Sequence, residues 1–420
     1  MSASEDLFHE LPGGRFKQIL YSVLEQENLI TGNSSYKIKK VLVSRWMSSV
    51  YTIEANCPSK ILCLYLKCLP EDNQKRDQLQ CTLSFRNEAA FYNTVLPVFE
   101  KFQSEKSRED LDPPVLVPQC YAAESDGTDD VVILKDMFAS GFVIFDRFTT
   151  LKLSEMCLLF KKLGRFHAYS LALKILSPDK MNEIKEKLIE PVFVSPNYES
   201  FIYLIFYNNL QDIRSIMKEN YDAESKYLNK FETFITKGFN LFPAQTLTDP
   251  TNEPYNVLTH GDLWISNFLY HYPEGSTVPD DICFLDFQQI RYNSPAIDLG
   301  RFLFAVMDKP TRHLHRDYLL QHYYESLGET LRHFGLAPEY LLPFSELESQ
   351  LRKYSVTFIT FSLLNVVHAR DPGEEKEYGC DGDESVLDSI RKPQQAMSEE
   401  CRQAIFDIIE ECVDRGYMDF

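Results

Sequence analysis

Two strand-like apolar runs near the middle of the chain are each interrupted by polar residues that a buried strand does not need. The first run, LTHGDLWISNFLY, spans 258–270, and the second, ICFLDFQ, spans 282–288. Nineteen positions separate Asn267 from Asp286, which is enough for a short strand, a turn containing Pro and Gly, and a return strand. We expect this hairpin to bring Asp262, Asn267 and Asp286 to one end of a cleft.

These side chains are the ones that phosphoryl transfer requires. A carboxylate accepts the proton of the attacking hydroxyl, and a carboxamide with a second carboxylate holds Mg²⁺ against nucleotide phosphates. We therefore predict Asp262 as the catalytic base and Asn267 and Asp286 as metal ligands. Gly261 lets the backbone turn tightly beside the base. His260 joins the predicted catalytic set as a brace of the loop rather than a proton carrier. A loop that only forms a pocket wall at the edge of a core is the alternative.

The first third of the chain reads as a small β-rich unit with an inserted helix. Apolar periodicity predicts a helix over 16–29, three strands between 36 and 69, a helix over 85–99, and strands near 119–123 and 131–134. Lys67 ends the third strand, and Glu88 lies in the helix that follows. Such a pair can fix the lysine against the α and β phosphates of a nucleotide. For either residue alone, a solvated surface charge is the commoner fate.

The remainder of the chain is predicted to be mainly helical. Helical spacing covers 153–173, two segments within 201–242, and the region from 295 onward, with a β-rich interlude at 257–292. The charged stretch 108–118 and the acidic stretch 371–385 are predicted loops, the second exposed and mobile. This pattern predicts an α+β chain in which 1–134 form a nucleotide-binding lobe and 135–420 form a catalytic and substrate-binding lobe.

Composition excludes several classes of function. The 420 residues carry a formal charge of −19, which disfavours nucleic acid and anionic membranes as partners. The N-terminal residues show no signal-peptide pattern, and no apolar run approaches the roughly 18 residues that span a bilayer. The 10 cysteines form no CxxC pair and no zinc-like cluster with histidine. We expect a soluble cytoplasmic protein with reduced thiols, and composition leaves its oligomeric state open.

The motifs together resemble the ecdysteroid kinase-like proteins, within the wider choline kinase and aminoglycoside phosphotransferase-like group. HGDLWISN followed by LDFQQIRYNSPAIDLGRFLF carries the resemblance, and LYLKCLP, FRNEAAFYNTVLPVFEKF, VVILKDMFASGF and LGRFHAYSLAL support it. The resemblance covers most of the chain. It implies a bilobal protein-kinase-like fold with a small β-rich N-lobe and a larger, mainly helical C-lobe. It also implies ATP and Mg²⁺ as cofactors, and a small hydroxylated molecule such as an ecdysteroid as the phosphate acceptor.

Carried over residue by residue, the resemblance implies the roles already assigned to Asp262, Asn267, Asp286, Lys67 and Glu88. It adds Lys135 and Met137 in the hinge beside the adenine. Asp298, in SPAIDL, matches the residue that ties down the catalytic loop.

Two stretches depart from the family pattern. The phosphate-covering loop usually carries glycine, whereas VLVSRWMSSVY, residues 41–51, has none. Ser44, Ser48 and Ser49 are expected to offer hydroxyls and backbone N–H groups there, beside the bulky Trp46. In the hinge, Lys135 stands where many members have an acidic residue. These departures support a second hypothesis, a kinase-like binding module with weak or no catalysis.

Two questions about the substrate stay open from the sequence. The aromatic stretches 198–207 and 302–306 could line an acceptor pocket for a steroid or another flat alcohol, but plain core is the commoner use of such spacing. A choline-type cage is a further alternative. A protein kinase is the third hypothesis for function. HRD at 315–317 follows the DFQ segment instead of preceding it, His322 stands where the metal-binding Asn belongs, and no DFG occurs.

Overall fold

The computed structural model describes residues 8, 11, 15–41, 47–106, 113–145, 150–192, 196–369 and 397–420, with the side chains of 196–203 and 368–369 left undescribed. The chain is mixed α and β and mostly helical, as the sequence predicts. Trp46, Ser44 and the acidic stretch 371–385 lie outside the described residues, as do residues 108–112 of the predicted loop 108–118.

The first part of the chain forms a five-stranded antiparallel sheet in which the first three strands pair in chain order and the fifth strand lies between the third and the fourth. All five predicted strands are confirmed, and helix α1, Phe16–Gln26, precedes them as predicted. The strands are β1, Ser35–Lys40; β2, Ser49–Cys57; β3, Lys60–Cys68; β4, Cys120–Glu124; and β5, Val131–Lys135.

The two faces of this sheet bury different sets of side chains. Leu62, Leu64 and Leu66 on β3 pack with α1, because alternate residues of a strand point to opposite faces. Lys67 therefore points to the other face, where Val132 and Leu134 of β5 join the larger core. The period-2 pattern of β3 thus directs Lys67 away from α1.

The helix predicted over 85–99 is longer than expected and is not uniform. It begins at Cys81, after Gln80 in the left-handed conformation with φ 50°. It runs as α3, Cys81–Ala90, passes through a π-helical turn, Phe91–Val95, and continues as α4, Leu96–Lys106. Apolar periodicity does not reveal such a change of hydrogen-bond register.

A short helix, α2, Asn73–Leu79, precedes it and was not predicted. Asp72 caps α2 by accepting from the N–H groups of Gln74 and Lys75.

Helices dominate the chain after β5. They are α5, Leu153–Leu176; α6, Pro178–Lys187; α7, Pro196–Asn220; α8, Lys226–Thr236; α9, Phe242–Thr246; α10, Ala296–Ala305; α11, Lys309–His333; α12, Pro338–Leu341; α13, Phe344–Lys353; α14, Ser355–Ala369; and α15, Glu399–Asp414. Among the described helices, none is long and apolar enough to cross a bilayer. Helix α5 packs closely against α11 at Gly164, where a Cβ atom would lie 2.4 Å from the carbonyl oxygen of Tyr323.

The predicted β-rich interlude is confirmed as four short strands: β7, Val257–Thr259; β8, Phe268–His271; β9, Asp281–Phe284; and β10, Arg291–Asn293. Strands β8 and β9 form the expected antiparallel hairpin, with Phe268 opposite Phe284. An unpredicted strand β6, Phe142–Ile144, extends this hairpin to three strands. Strand β7 pairs with β10 in a separate two-stranded ribbon. The polar interruptions therefore fall at strand ends, beside one another.

Candidate active site

A cleft with an empty volume of about 570 Å³ lies between the five-stranded sheet and the β8–β9 hairpin. Its apolar walls include Leu134, Leu269 and Leu285, and its polar lining includes Lys67 and Asp286. The lining is completed by Tyr65, Glu88, Pro118, Lys135, Asp136, Met137, Phe138, Ile144 and Ser266. A largely apolar pocket with a few convergent charges is the usual form of a small-molecule site.

Lys67 joins two carboxylates inside this cleft. Its Nζ lies 2.6 Å from Oε2 of Glu88 and 2.8 Å from Oδ1 of Asp286. The Lys67 side chain is only 7% exposed, and burial alone would lower its pKa. The charges of Asp286 and Glu88 outweigh burial and raise the pKa of Lys67 above its ordinary value. Lys67 is therefore a permanent cation held on the cleft floor.

Asp286 has a backbone conformation that few residue types adopt. It follows β9 with φ 65° and ψ 62°, in the left-handed region. For a residue with a Cβ this conformation costs free energy, about 1 kcal/mol or more. The preceding N–H of Leu285 donates to the carbonyl oxygen of Asn267 at 2.8 Å, which fixes the end of β9 against β8. The hairpin thereby holds Asp286 in position to meet Lys67.

Asp262 and Asn267 contact each other directly in the loop between β7 and β8. Nδ2 of Asn267 donates to Oδ2 of Asp262 at 3.0 Å and to its carbonyl oxygen at 2.9 Å. The amide nitrogen is thus committed to Asp262, and Oδ1 of Asn267 lies 3.5 Å from the hydroxyl of Ser266. The carboxamide can therefore present its oxygen to a cation while its nitrogen orients the carboxylate.

Asp298, on α10, anchors the backbone of this loop. Its carboxylate accepts from the N–H of His260 at 2.7 Å and from the N–H of Gly261 at 2.8 Å. Nε2 of His167 lies 3.2 Å from the same carboxylate, and Asp298 is completely buried. Burial raises the pKa of Asp298, but the hydrogen bonds that its carboxylate accepts from His167 and from the N–H of Gly261 outweigh burial and lower the pKa overall. An ionised carboxylate thus holds the loop.

Gly261 cannot be replaced by a residue with a side chain in this backbone. Its φ is +79°, and an added Cβ atom would lie 1.9 Å from the carbonyl oxygen of Gln289. The predicted tight turn at this glycine is confirmed.

His260 uses both ring nitrogens within the protein. Nε2 donates to the carbonyl oxygen of Leu285 at 2.9 Å, and Nδ1 accepts from the N–H of Asp262 at 3.3 Å. With both nitrogens engaged, the ring has no nitrogen left for a substrate proton. Its ring lies 4.5 Å from that of Phe287, between centroids. This geometry supports bracing, the role we expected for His260.

Arg301 is a site residue that the sequence did not single out. Its guanidinium forms an ion pair with Asp262 and donates from Nη1 to the carbonyl oxygen of Gly261 at 2.9 Å. Arg301 lies three residues after Asp298, so both project from neighbouring positions on one face of α10. This i, i+3 spacing beside the predicted loop anchor is the signal that could have identified it.

A second missed feature joins helix α3 and the π-helical turn after it to the residues that follow Asp286. The ring of Phe91 stacks on that of Phe287 with centroids 3.6 Å apart. One residue before Glu88, Nδ2 of Asn87 donates to the carbonyl oxygen of Gln288 at 3.3 Å. These contacts hold the glutamate helix against the residues that follow Asp286.

The two residues predicted to form a hinge, Lys135 and Met137, line the cleft. The N–H of Lys135 donates to the carbonyl oxygen of Gln119 at 2.8 Å, and its side chain is exposed. The carbonyl oxygen of Met137 accepts from Ser140 and Phe142, while its N–H finds no hydrogen-bond partner among the described residues. Met137, which lines the cleft, therefore has a backbone donor that the described residues do not use.

Other predicted positions lie away from the cleft lining. Ser48 is buried just before β2, and Ser49 pairs with Cys68 in the sheet; neither lines the cleft. Their proposed phosphate contacts stay a prediction, because residues 42–46 are not described. Phe302 and Phe304 are fully buried in the core rather than in a pocket. That outcome matches the core alternative for this aromatic stretch.

The donors present suit Mg²⁺ held jointly with a nucleotide. Asp286 and Asn267 offer hard oxygen atoms, which Mg²⁺ prefers, and it commonly takes only one or two protein ligands. Among the described residues, no group of three His, Cys, Asp or Glu side chains forms a metal cluster on its own. The residues would therefore fit a magnesium ion for which the protein supplies only part of the ligands.

The comparison with protein families agrees with this geometry. The model of the ecdysteroid kinase-like family matches residues 44–336, which is more than half of the chain and includes every predicted site residue. No curated protein matches the sequence significantly. Family membership indicates a small-molecule phosphotransferase of kinase type. The chain therefore belongs to the ecdysteroid kinase-like family.

Proposed function

We propose that this chain is a Mg-ATP-dependent kinase that transfers the γ-phosphate to a hydroxyl group of a small molecule. We further propose a bilobal arrangement, with 1–134 as the nucleotide-binding lobe and 135–420 as the catalytic and substrate-binding lobe. The observation that carries the proposal is the meeting of Lys67, Glu88 and Asp286 in one cleft. A buried lysine held by a helix glutamate and a hairpin aspartate is the arrangement that binds nucleotide phosphates.

The nucleotide would be held along the length of this cleft. The free N–H of Met137 is a donor for the adenine edge, and Leu134, Leu269 and Leu285 supply apolar walls for the ring. At the other end, the Nζ cation of Lys67 would bind phosphate oxygens. The side chain of Lys135 is exposed at the proposed hinge. Adenine would therefore be recognised by backbone groups of the hinge and not by the Lys135 cation.

Asn267 and Asp286 would bind the magnesium ion through their side-chain oxygens. When bound, the ion neutralises negative charge on the phosphates during transfer. Oδ1 of Asn267 is suited to this role because Nδ2 already donates to Asp262. Asp286 would serve the ion and Lys67 together, since the Lys67 cation lies 2.8 Å from Oδ1.

Asp262 would accept the proton of the acceptor hydroxyl. Its carboxylate is oriented by Asn267 and Arg301 and stands in the same loop as the proposed metal ligand. As the acceptor oxygen bonds to phosphorus, the bond from phosphorus to the oxygen that leaves with ADP breaks, and the hydroxyl proton goes to Asp262. His260 keeps the loop in place and takes no proton, because both ring nitrogens are engaged.

Two measurements test the proposal together. Millimolar Mg-ATP should raise the thermal unfolding midpoint, because a ligand that binds only the folded state stabilises it. An ADP-release screen against hydroxylated steroids, including ecdysteroids, and against choline, ethanolamine, sugars and aminoglycosides should then find an acceptor. Release of ADP with any of these supports the kinase and names its substrate class.

The alternative function is a kinase-like binding module with weak or no catalysis. The absence of glycine from residues 41–51 favours it, since glycine usually lets backbone approach phosphate closely. A module of this kind would give no thermal shift with Mg-ATP, or a shift without ADP release with any acceptor of the screen.

A further inference from the structure

We propose that Arg301 is the positioning residue of Asp262, and that Phe361 fixes the Arg301 guanidinium in place. The proposal rests on the role of Asp262 as base. It adds a link, from helix α14 through α10 to the catalytic carboxylate, that the motif residues themselves do not contain.

Arg301 contacts both the side chain of Asp262 and the backbone of the neighbouring Gly261. Nη2 pairs with Oδ1 of Asp262, while Nη1 donates to the carbonyl oxygen of Gly261 at 2.9 Å. Oδ2 of Asp262 accepts from Asn267 at 3.0 Å. Each carboxylate oxygen therefore has a donor of its own, so the plane of the carboxylate is fixed from two sides.

Burial makes this arrangement rigid. Arg301 is 3% exposed, and its guanidinium carbon lies 4.4 Å from the ring centroid of Phe361. Phe361 is in turn held by edge contacts with Phe206 and Phe242, at centroid distances of 5.2 and 5.5 Å. A guanidinium stacked on a buried ring between aromatic neighbours has little freedom to rotate. The rings of Phe361, Phe206 and Phe242 therefore determine the position of the Arg301 guanidinium, which is the partner of Asp262.

Arginine is suited to this place in a way that lysine is not. The planar fork reaches two acceptors at once, Gly261 and Asp262, and its flat face stacks on a ring. Lysine would keep the charge but could satisfy only part of this geometry. We therefore expect Arg301→Lys to restore part of what Arg301→Met removes.

Arg312 offers a matched control. It is also a buried arginine, pairs with Glu411 at 2.8 Å, and lies 5.0 Å from the ring centroid of Phe304. Its partners lie on α10, in the segment just after α10 and on α15, and they include none of the catalytic-loop residues 260–267. Arg312→Met should therefore lower stability without changing turnover per folded molecule.

The first measurement does not depend on catalysis. Amide hydrogen exchange of the full chain should show lower protection of residues 260–264 in Arg301→Met, with wild-type protection there in Arg312→Met. The second uses the acceptor found in the ADP-release screen. Arg301→Met should lower kcat about 100-fold, as for a catalytic group displaced by about 1 Å, with the KM for ATP within about twofold of wild type. The kcat of Arg301→Lys should lie between those of Arg301→Met and wild type.

The outcomes distinguish a failure of this inference about Arg301 from a failure of the proposed kinase function. If wild type turns over and Arg301→Met keeps its kcat, Arg301 does not position Asp262. If wild type turns over no acceptor, the proposed function fails, and hydrogen exchange alone decides. Unchanged protection of residues 260–264 in Arg301→Met would then overturn the inference, and reduced protection confined to that variant would support it.

Discussion

Nζ of Lys67 lies 2.8 Å from Oδ1 of Asp286, although 219 positions separate them in the sequence. Lys67 is on the third strand of the five-stranded sheet, and Asp286 ends the β8–β9 hairpin. The contact therefore joins the sheet to the hairpin across the cleft. Both residues are buried or nearly so, and an uncompensated charge there would be costly.

Replacement of Lys67 tests this junction. Lys67→Met leaves Glu88 and Asp286 without their shared cation, so we expect a loss of about 3–5 kcal/mol in the free energy of unfolding. The stabilising effect of Mg-ATP should also be lost, because the phosphates lose their cation. Urea unfolding and thermal shift measure the two effects.

A lysine on helix α5 that pairs with the hairpin provides the control for Lys67. Lys162 lies 2.9 Å from Asp281 at the start of β9, and its side chain is 13% exposed. Lys162→Met should leave the Mg-ATP shift unchanged. A wild-type Mg-ATP shift in Lys67→Met would remove Lys67 from the nucleotide site.

The turn at Gly261 provides a second prediction. Gly261→Ala combines a positive φ with a collision against Gln289, so it should displace the catalytic loop and abolish ADP release. Gly275 has a similar φ of +73°, but an added Cβ meets nothing within 4 Å. Gly275→Ala should cost only about 1 kcal/mol, from the backbone alone, and keep activity. Equal urea midpoints for the two variants would contradict the collision at Gly261.

Much of this candidate site could be predicted because its polar residues interrupt apolar, strand-like runs of the sequence. HGD and DF interrupt apolar runs, and a hairpin of that length must bring their ends together. Lys67 could be predicted because the alternation along β3 gives one face to the core and the other to the cleft.

The missed features depend on contacts that periodicity does not encode. Arg301 reads as an ordinary charged residue of an apolar helix until its neighbours are known. The π-helical turn that contains Phe91 is a change of hydrogen-bond register within a continuous helical pattern. Helix α6 is not among the predicted helices, although Ser177 followed by Pro178 at the first helical position is a local start signal.

Magnesium dependence gives a third prediction. Asp286→Asn removes the only carboxylate among the two proposed ligands, so a higher Mg²⁺ concentration should be needed for half-maximal ADP release. Asp280→Asn, on the exposed turn of the same hairpin, is the control, since Asp280 pairs only with His271 among the ion pairs described. A magnesium titration of both variants at constant ATP measures the difference. Identical titration curves for Asp286→Asn and wild type would contradict the ligand role.

The central claim is that Asp262 is the base of a small-molecule kinase. Asp262→Asn keeps the shape of the side chain and one carbonyl oxygen for Asn267, but it cannot accept the hydroxyl proton. The most direct test is the kcat of this variant with the acceptor from the ADP-release screen, beside its Mg-ATP thermal shift. We predict a fall in kcat of about 100-fold or more with the shift retained. Wild-type turnover in Asp262→Asn would contradict the account.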